Sequence, residues 1–374
     1  MPVVKEILMT ADAAGGVWTY SLTLARALAP FGVHVSLALM GPPPSAEQRA
    51  QLRELTNVEL FESAYKLEWM DHSWDDVRRA GDWLLGLAER IAPDVVHVNG
   101  YAHAALPWNA PVVVVAHSSV TDWWRAVKGE EAPAEYDTYR DAMERGMRAA
   151  DALVSLTRFD ALRLSHAAGE RAYPAIDVIP NAADSREFAP GNKLPFVFAA
   201  GRIWDEAKNV AALDRVASTL SWPVYIAGGA RHPNGSMYMP QGAQMLGSVA
   251  PQRMREWYAR AAIYALPARY EPFGLSVLEA ALSGCALVLG DIPTLRENWD
   301  GAAIFAPPDD TNALHGALEL LIGDDRLRGR LAEKARAVAL RFTPERLAQQ
   351  YMEVYRTHAR KAVLSFAGIG LESR

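Results

Sequence analysis

Two cationic side chains follow an apolar run at a spacing that suits a diphosphate. Arg202 and Lys208 come after the run Phe196 to Ala200, and a helical pattern begins directly afterwards. A lysine at a helix start opposes the helix dipole, at a cost of about 0.3 to 1 kcal/mol, unless an anion lies beside it. A guanidinium that grips a diphosphate, with an ammonium as a point charge, would neutralise a phosphate leaving group. The alternative is that Asp205 and Glu206 pair with these cations at the surface.

Two carboxylates accompany a second turn that begins a helix. Glu271 follows the apolar run Ile263 to Leu266, and Glu279 comes about two helical turns later. The backbone amides of the first helical turn are predicted to form an anion site; they belong to Phe273, Gly274, Leu275 and Ser276. Glu279 precedes the apolar residues Ala280 to Leu282, so its helix is expected to be buried. Its carboxylate would be repelled by phosphate and suits a neutral diol such as a ribose.

Adjacent glycines open a third turn, near the start of the chain. Gly15 and Gly16 lie between an apolar run and a helical pattern that begins near Trp18. Glycines let the backbone approach a ligand closely, and free amides at a helix start attract anions or hydroxyls. The three-glycine spacing of dinucleotide-binding turns is absent. The turn is therefore equally consistent with a tight connection whose glycines serve packing.

The three turns belong to an alternation of apolar runs and helical patterns along the whole chain. Such alternation is typical of parallel sheets covered by crossover helices. The predicted strands of the first half are Glu6 to Met9, Val33 to Leu39, Val95 to Val98, Val112 to Ala116 and Ala152 to Leu156. The predicted helices between them are Trp18 to Ala29, Asp75 to Ile91, Ala134 to Ala150 and Arg158 to Ala168.

A polar segment, Asn181 to Pro195, interrupts this alternation and predicts a domain boundary. The strands of the second series are predicted at Phe196 to Ala200, Val224 to Ala227, Met245 to Leu246, Ile263 to Leu266, Ala286 to Leu289 and Ala303 to Phe305, with three helices after Thr311. We therefore predict an α/β protein with two doubly wound, Rossmann-like parallel-sheet domains, at residues 1–185 and 186–345, facing a cleft. Such sheets bind ligands beyond the carboxyl ends of their strands, where the three turns lie.

The motifs in these turns resemble those of the retaining glycosyltransferases of the GT-B fold, family 4 (group 1). The motifs are Gly201-Arg202, Lys208 and the run Glu271-Pro272-Phe273-Gly274-Leu275 with Glu279. Val178-Ile179-Pro180-Asn181 is similar to the family's segment at the end of the first domain, although Ala182 stands where a glycine is common. The resemblance covers nearly the whole chain and implies that a last helix, over 346–374, crosses back to the first domain.

The resemblance also implies roles for residues that spacing alone does not assign. His117 aligns with a histidine that reaches the donor sugar from across the cleft. Gly15 and Gly16 would lie against the donor and acceptor, while turns at Gly228 and at Gly247 with Val249 would lie near the nucleotide. Lys208 and Arg202 would neutralise the departing diphosphate, Glu271 would orient the sugar hydroxyls, and Glu279 would hold the ribose.

The expected activity is transfer of a hexose-type sugar from a nucleotide diphosphate sugar, with retention at the anomeric carbon. UDP is the expected nucleotide because it is common in this family, with GDP and ADP as alternatives. The acceptor, whether carbohydrate, lipid-linked or a small molecule, is left open. The resemblance implies that the basic pair replaces a metal, and acidic pairs such as Asp75-Asp76 are read as helix openings. No cofactor is expected, because the nucleotide sugar is a substrate.

Composition excludes several other classes. The net charge is −6 and the basic residues are interspersed with acidic ones, unlike the basic stripe of a nucleic-acid-binding protein. The single cysteine, Cys285, lies in an apolar run, where it reads as a buried strand residue and not as a nucleophile. No run approaches the roughly 20 apolar residues of a transmembrane helix, and a signal peptide pattern is missing. We expect a cytoplasmic bacterial protein, monomeric or homodimeric, with peripheral membrane contact left open.

Three other functions remain as alternatives at this point. A related GT-B reaction such as nucleotide-sugar epimerisation or hydrolysis would need no acceptor. A carbohydrate-binding or scaffold protein with a decayed site would show no nucleotide affinity. A nicotinamide dehydrogenase is disfavoured because its glycine fingerprint is absent. Tryptophans of the first half, Trp123 and Trp124 among them, are candidates for the acceptor side, although core packing accounts for most of them.

Overall fold

The computed structural model describes residues 3–167, 173–230 and 237–369, the last ten of these without their side chains. The chain divides into two compact units. The first comprises residues 1–121, 132–181 and the chain from 344 onwards, and the second comprises 122–131 and 182–343.

A parallel sheet forms the centre of the first unit. Its described strands are β1 (Glu6–Asp12), β2 (His34–Met40), β3 (Val58–Glu62), β4 (Val95–Val98), β5 (Val112–Ala116), β6 (Ala152–Ser155) and β7 (Ile176–Val178). They are ordered β3-β2-β1-β4-β5-β6-β7, and every pair is parallel. The central strands are largely apolar because helices cover both faces; Val112 to Val115, for example, are all buried.

Helices connect and cover these strands. The first six are α1 (Gly16–Leu28), α2 (Ala46–Arg53), α3 (Trp74–Ile91), α4 (Val120–Lys128), α5 (Asp137–Ala149) and α6 (Arg158–Ala167). Asp75 and Asp76 lie in the first turn of α3, where the helix dipole favours acidic residues, as the sequence indicated. The predicted end of α6, Ala168, lies outside the described residues.

The second unit is built on a second parallel sheet. Its described strands are β8 (Leu194–Ala200), β9 (Val224–Ala227), β10 (Gln244–Gly247), β11 (Ala261–Leu266), β12 (Ala286–Gly290) and β13 (Ala303–Ala306). They are ordered β10-β9-β8-β11-β12-β13. The helices that follow along the chain are α7 (Val210–Ala217), α8 (Pro251–Arg260), α9 (Leu275–Leu282), α10 (Pro293–Trp299), α11 (Thr311–Gly323) and α12 (Asp325–Ala339).

The long last helix, α13 (Pro344–Ile369), belongs to the first unit by its contacts, where it packs against α1. The first unit's second segment ends at Asn181, within the polar segment that marks the predicted boundary. Residues 122–131, which follow β5 in the chain, group with the second unit. The predicted fold class, two parallel-sheet α/β domains, is confirmed.

Each sheet has one point where the strand order reverses. In the first sheet this point lies between β1 and β4, and in the second it lies between β8 and β11. The connections from these neighbouring strands run to opposite faces of the sheet, so the carboxyl ends of the strands leave a crevice there. The predicted ligand-binding turns follow β1, β8 and β11, which are strands at these two points.

Candidate active site

The second sheet brings the cationic turn and the acidic turn side by side. The turn after β8 carries Arg202 and Lys208, and the turn after the neighbouring strand β11 carries Glu271. A hydrogen bond between backbone groups joins the two turns, since the Arg269 amide donates to the Ala207 carbonyl over 2.8 Å. Three of the predicted residues therefore lie at the carboxyl ends of β8 and β11, where the strand order of the second sheet reverses.

Lys208 and Glu271 form a largely buried ion pair. The Lys208 Nζ donates to the Glu271 Oε2 over 2.5 Å, and the two side chains are only 16% and 12% exposed. Lys208 lies in a short 3-10 turn, Glu206–Lys208, just before α7. The expected conflict between this lysine and the helix dipole is therefore relieved inside the chain, by Glu271, before a ligand binds.

Arg202 is held by a buried carboxylate. Its Nη2 donates to the Asp205 Oδ2 over 2.8 Å, and the Asp205 side chain is only 3% exposed. The other oxygen, Oδ1, accepts from the Trp123 indole over 3.0 Å and from the Ala207 amide over 3.0 Å. Burial opposes ionisation of Asp205, but Arg202 and Lys208 outweigh it and lower the pKa of this carboxyl.

The alternative of surface pairing is thus correct in part. Asp205 does pair with Arg202, but as a buried group that also fixes Trp123. Glu206 pairs with Lys128 over 2.8 Å and leaves Lys208 to Glu271. Arg202 keeps 42% of its side chain exposed, so its guanidinium remains accessible to a ligand at these strand ends.

The first turn of α9 differs from its prediction. The helix begins at Leu275, and Gly274 caps it with a φ of +90°, a left-handed conformation that favours glycine. The amides of Gly274 and Phe273 donate to the Glu271 Oε1, over 2.9 and 3.4 Å. These two residues therefore precede the helix instead of lying in its first turn, and their amides serve Glu271, while their part in donor binding stays a prediction. The Leu275 and Ser276 amides, in the first helical turn, have no acceptor within the helix.

Glu279 lies on α9 and is partly buried, as its apolar neighbours predicted. Burial raises the pKa of its carboxyl to about 7, although a hydrogen bond from Tyr258 and the charge of Arg255 act in the opposite direction. Burial, and after it the Glu279 carboxylate, raises the pKa of the Tyr258 hydroxyl, which therefore stays protonated and donates. Glu279 thus changes its charge close to neutral pH, unlike an exposed glutamate.

Three glycine turns meet at the carboxyl ends of β8, β9 and β10. The Gly228 amide donates to the Gly247 carbonyl over 2.8 Å, and the Gly201 amide donates to the Ala227 carbonyl over 3.0 Å. Gly228 has a φ of +143°, and a Cβ placed on it would lie 1.7 Å from the Gly201 carbonyl oxygen. Only glycine fits there. Val249, two positions after Gly247, is half-buried beside this group of turns.

The first unit places the other predicted residues at the carboxyl edge of its sheet. Gly15 caps α1 with an extended φ of −173°, and Gly16 is the first residue of that helix. The preceding loop is held by two side chains: the Asp12 carboxylate accepts from the Ala14 amide over 2.8 Å, and Gln48 donates to the Ala13 carbonyl over 3.0 Å. Gly15 is therefore not in the left-handed region that favours glycine.

His117 follows β5 and is half-buried. Its Nε2 lies 2.8 Å from the Asn99 Oδ1, and its ring meets Tyr20 edge to face at 4.5 Å. Burial, with a further effect of His97, lowers the pKa of His117 to about 3. The imidazole is therefore neutral at physiological pH. It forms hydrogen bonds without gaining a second proton.

The structure thus places Arg202, Lys208 and Glu271 together at the second sheet, and Gly15, Gly16 and His117 at the edge of the first. Sequence reasoning missed three residues that hold these groups, namely Tyr258, Asn99 and His97. It named Asp205 only as a surface partner of the cations and Trp123 only as a candidate for the acceptor side, and not the contact between them. Asn99 offered a usable signal, because it directly follows an apolar strand.

Cys285 is fully buried, and burial raises the pKa of its thiol to about 11. Its prediction as a buried, unreactive residue agrees with these properties, although it directly precedes β12. In the described part of the chain, no three His, Cys, Asp or Glu side chains are grouped to hold a metal ion. None of the described helices combines the length and apolar character of a membrane span.

Sequence comparison matches two consecutive segments of the chain, each to one family model. Residues 14–187 match the family described as Glycosyltransferase Family 4, and residues 195–324 match Glycosyl transferases group 1. A D-inositol 3-phosphate glycosyltransferase from Xylanimonas cellulosilytica is 26% identical over 403 aligned positions, which cover 91% of each chain. The candidate site residues of both units therefore fall inside the matched regions.

Solved structures show the same fold at low identity. Sucrose-phosphate synthase from Thermosynechococcus elongatus is similar with a TM-score of 0.79 and 16% identity, over 94% of this chain and 98% of that one. Alr3699/HepE from Anabaena, solved in complex with UDP-glucose, is similar with a TM-score of 0.71 and 17% identity, over 94% and 99%. Likeness at this identity establishes the two-domain architecture alone.

Proposed function

Because this chain belongs to the group 1 glycosyltransferases and is a sugar-transferring enzyme, we propose that it takes a hexose-type sugar from a UDP-sugar, without a metal and with retention at the anomeric carbon. The observation that carries the proposal is the edge of the second sheet, where Arg202 is accessible and Lys208 is joined to Glu271. A dinegative leaving group is the kind of anion that a guanidinium and an ammonium bind.

The proposed role of Arg202 and Lys208 is to stabilise the departing diphosphate. Sugar transfer passes through an oxocarbenium-like state, in which negative charge builds up on the leaving oxygen. Fixed cations at that position stabilise the transition state more than the ground state. Lys208 is held in place by Glu271 before the donor arrives, so little reorganisation is needed when the bond breaks. Because the two cations supply this charge, the chemistry needs no divalent ion.

Glu271 is proposed to orient the donor sugar while it remains paired to Lys208. Its carboxylate already accepts the Lys208 ammonium and the Gly274 amide. Such a carboxylate keeps a fixed direction, and its remaining lone pairs can accept from sugar hydroxyls. The amides of Leu275 and Ser276 would then serve the phosphate. Glu279 would accept from the ribose hydroxyls, and the glycine turns at Gly228 and Gly247, with Val249, would leave room for the nucleotide.

His117 and the Gly15-Gly16 loop are proposed to serve the sugar and the acceptor. A neutral histidine cannot deprotonate the acceptor efficiently at a pKa near 3, so His117 is assigned to hydrogen bonding. The acceptor proton is proposed to pass to the donor phosphate itself. UDP is preferred as the nucleotide because a similar structure, Alr3699/HepE, was solved with UDP-glucose.

A binding panel followed by a product assay tests the proposal. Thermal melting of the protein is measured with UDP, GDP and ADP, and a stabilising shift is expected for UDP. A matching UDP-sugar is then incubated with candidate acceptors, and the anomeric configuration of the product is read by NMR. Retention, with activity unchanged by EDTA, is the expected result. Inversion, or loss of activity that magnesium restores, would contradict the proposed mechanism.

A further inference from the structure

Asn99 occupies a fixed position between two histidines of the first unit. It follows β4, and its backbone amide donates to the Thr10 hydroxyl over 2.9 Å. Its side-chain Nδ2 donates to the Thr10 carbonyl over 2.7 Å. Its Oδ1 faces the Nε2 of His117 at 2.8 Å and the Nε2 of His97 at 3.1 Å. Thr10, on the neighbouring strand β1, accepts both hydrogen bonds, so the amide plane of Asn99 cannot rotate freely.

The orientation of the amide group follows from its partners. If the amide were reversed, its Oδ1 would face the Thr10 carbonyl, and two acceptors would be in contact. The observed orientation therefore stands, and the oxygen is the atom presented to the histidines. An amide oxygen only accepts hydrogen bonds. His117 must consequently carry its proton on Nε2. The His97 Nε2 faces the Tyr20 hydroxyl at 3.2 Å as well as the Asn99 oxygen.

The second histidine of this network, His97, faces a tyrosine hydroxyl with each of its ring nitrogens. The His97 Nδ1 lies 2.7 Å from the Tyr355 hydroxyl, on α13. Burial lowers the pKa of His97 to about 4, so the ring is neutral like that of His117. The hydroxyls of Tyr20, Tyr351 and Tyr355, which surround the pair from α1 and α13, keep their protons because burial raises their pKa values.

We propose that Asn99 is a positioning residue that holds His117 as the Nε2–H tautomer, so that its Nδ1 presents a lone pair to a hydroxyl of the substrate sugar. The inference deepens the proposed function and rests on it for the identity of the hydroxyl. His117 then acts as an acceptor only. A sugar hydroxyl that meets it must donate, which fixes the rotation of that hydroxyl. The ring orientation is set by the same hydrogen bond and by the edge-to-face contact with Tyr20.

The tautomer itself is measurable without substrate. Protein labelled with ¹⁵N at histidine is examined by two-bond ¹H–¹⁵N correlation, and His117 is assigned by comparison with His117→Gln. We expect His117 to show a protonated Nε2 and an unprotonated Nδ1 over the range pH 6 to 8. His103 provides an internal reference, since its Nε2 lies 3.0 Å from the Val77 carbonyl and must also be protonated. A His117 that is protonated on Nδ1 would overturn the proposal.

Substitutions at Asn99 test its part in setting this tautomer. In Asn99→Leu we expect signals from both tautomers of His117, with His103 unchanged. In Asn99→Asp the carboxylate should raise the pKa of His117, which becomes visible as titration of its ring nitrogens. Asn57→Leu is the matched control, because the Asn57 side chain likewise donates to the backbone of the first unit, to the carbonyls of Ala25 and Val33. An unchanged His117 signal in Asn99→Leu would contradict the proposal.

Kinetics separates positioning from a purely structural role. With a UDP-sugar donor we expect Asn99→Leu to lower kcat by about tenfold or more, with UDP affinity unchanged. Combining Asn99→Leu with His117→Ala should lower kcat little further than His117→Ala alone, because both changes remove the same interaction. Additive losses would overturn the proposal. If no donor sugar supports turnover, the proposed function fails, whereas the tautomer measurement still decides the role of Asn99.

Discussion

At the scale of single residues, the candidate site depends on charges that are balanced before a ligand binds. Lys208 is paired with Glu271, and Arg202 is paired with Asp205. Removing one partner of such a pair leaves a poorly solvated charge, so each side chain affects both stability and chemistry. Neutral substitutions that keep the shape are therefore better probes than truncations.

Substitution of Glu271 by Gln tests its proposed contact with the sugar. The amide keeps an oxygen for the Gly274 amide but removes the charge that fixes Lys208. We expect kcat to fall about a hundredfold, with the melting temperature lowered by only a few degrees. Glu206→Gln is the control, because Glu206 pairs with Lys128 instead. Transfer at a rate near that of the unaltered protein in Glu271→Gln would refute the assigned role.

The raised pKa of Glu279 predicts a dependence of donor binding on pH. In the protein without a donor, the Glu279 carboxyl has a pKa of about 7. Only its ionised form accepts hydrogen bonds from both ribose hydroxyls. Binding of a UDP-sugar should therefore weaken as the pH falls from 8 to 6, by up to about tenfold per pH unit below 7. Titration calorimetry at several pH values measures it. Glu279→Gln should bind weakly at every pH, and a pH dependence that persists in this variant would count against the assignment.

Sequence predicted the residues that bear charge but not those that position them. Arg202, Lys208 and Glu271 were recognisable because each follows an apolar strand and forms part of a family motif. The contact between Trp123 and Asp205 joins residues 82 positions apart. Hydrogen bonds over such separations leave no spacing pattern in one sequence. The left-handed cap at Gly274 was missed as well, and with it the hydrogen bonds by which two amides serve Glu271.

At the scale of elements, glycine turns let the strand ends of the second sheet approach each other. The turn after β9 crosses directly over the carbonyl of Gly201, after β8. A side chain at this crossing would separate the two turns and displace Arg202. The sequence predicted a turn here, but the close approach depends on the pairing of β8 with β9.

Substitution of Gly228 by Ala tests this crossing against a neighbour in the same turn. The added Cβ would meet the Gly201 oxygen at 1.7 Å, whereas a Cβ at Gly229 would meet no atom of the described residues within 4 Å. We expect Gly228→Ala to lower the melting temperature and to abolish UDP binding, because the backbone must shift. Gly229→Ala should preserve both properties. Equal behaviour of the two variants would show that the crossing is unimportant.

The central strands of both sheets and the edge strands of the second sheet were predictable, whereas the edge strands of the first sheet, β3 and β7, were not. Strands such as β4, β5 and β9 are buried on both faces and read as continuous apolar runs, so their predicted and observed bounds coincide. β3 is half-exposed with a mixed sequence, and β7 has only three residues. Neither gives a periodic signal strong enough to recognise without its neighbouring strand.

At the scale of the whole molecule, chain order and unit membership differ. Residues 122–131 follow the His117 turn in sequence but belong to the second unit, where Trp123 reaches Asp205 and Lys128 reaches Glu206. The last helix, α13, returns to the first unit and brings Tyr355 to His97. The resemblance predicted that return, whereas nothing in the sequence predicted the membership of residues 122–131.

Substitution of Trp123 by Phe tests whether this segment supports the donor turn. The change removes the indole N–H that binds the Asp205 carboxylate and keeps an aromatic ring. A hydrogen bond to a charged group contributes about 1.5 to 3 kcal/mol, so Arg202 should lose part of its fixed position. We expect weaker UDP binding, measured by calorimetry. Trp108→Phe is the control: it removes the hydrogen bond from the Trp108 indole N–H to the His103 carbonyl and should leave UDP affinity unchanged. Equal losses of UDP affinity in both variants would argue against a specific role of Trp123.

The central claim is that Arg202 and Lys208 bind the donor diphosphate, and calorimetry with UDP and with uridine tests it most directly. Uridine lacks the phosphates, so the difference between the two ligands isolates their contribution. In the Arg202→Met, Lys208→Met double variant, the account predicts that UDP affinity falls about a hundredfold while any uridine affinity is unchanged. Undiminished UDP affinity in this variant, or equal losses for UDP and uridine, would contradict the account.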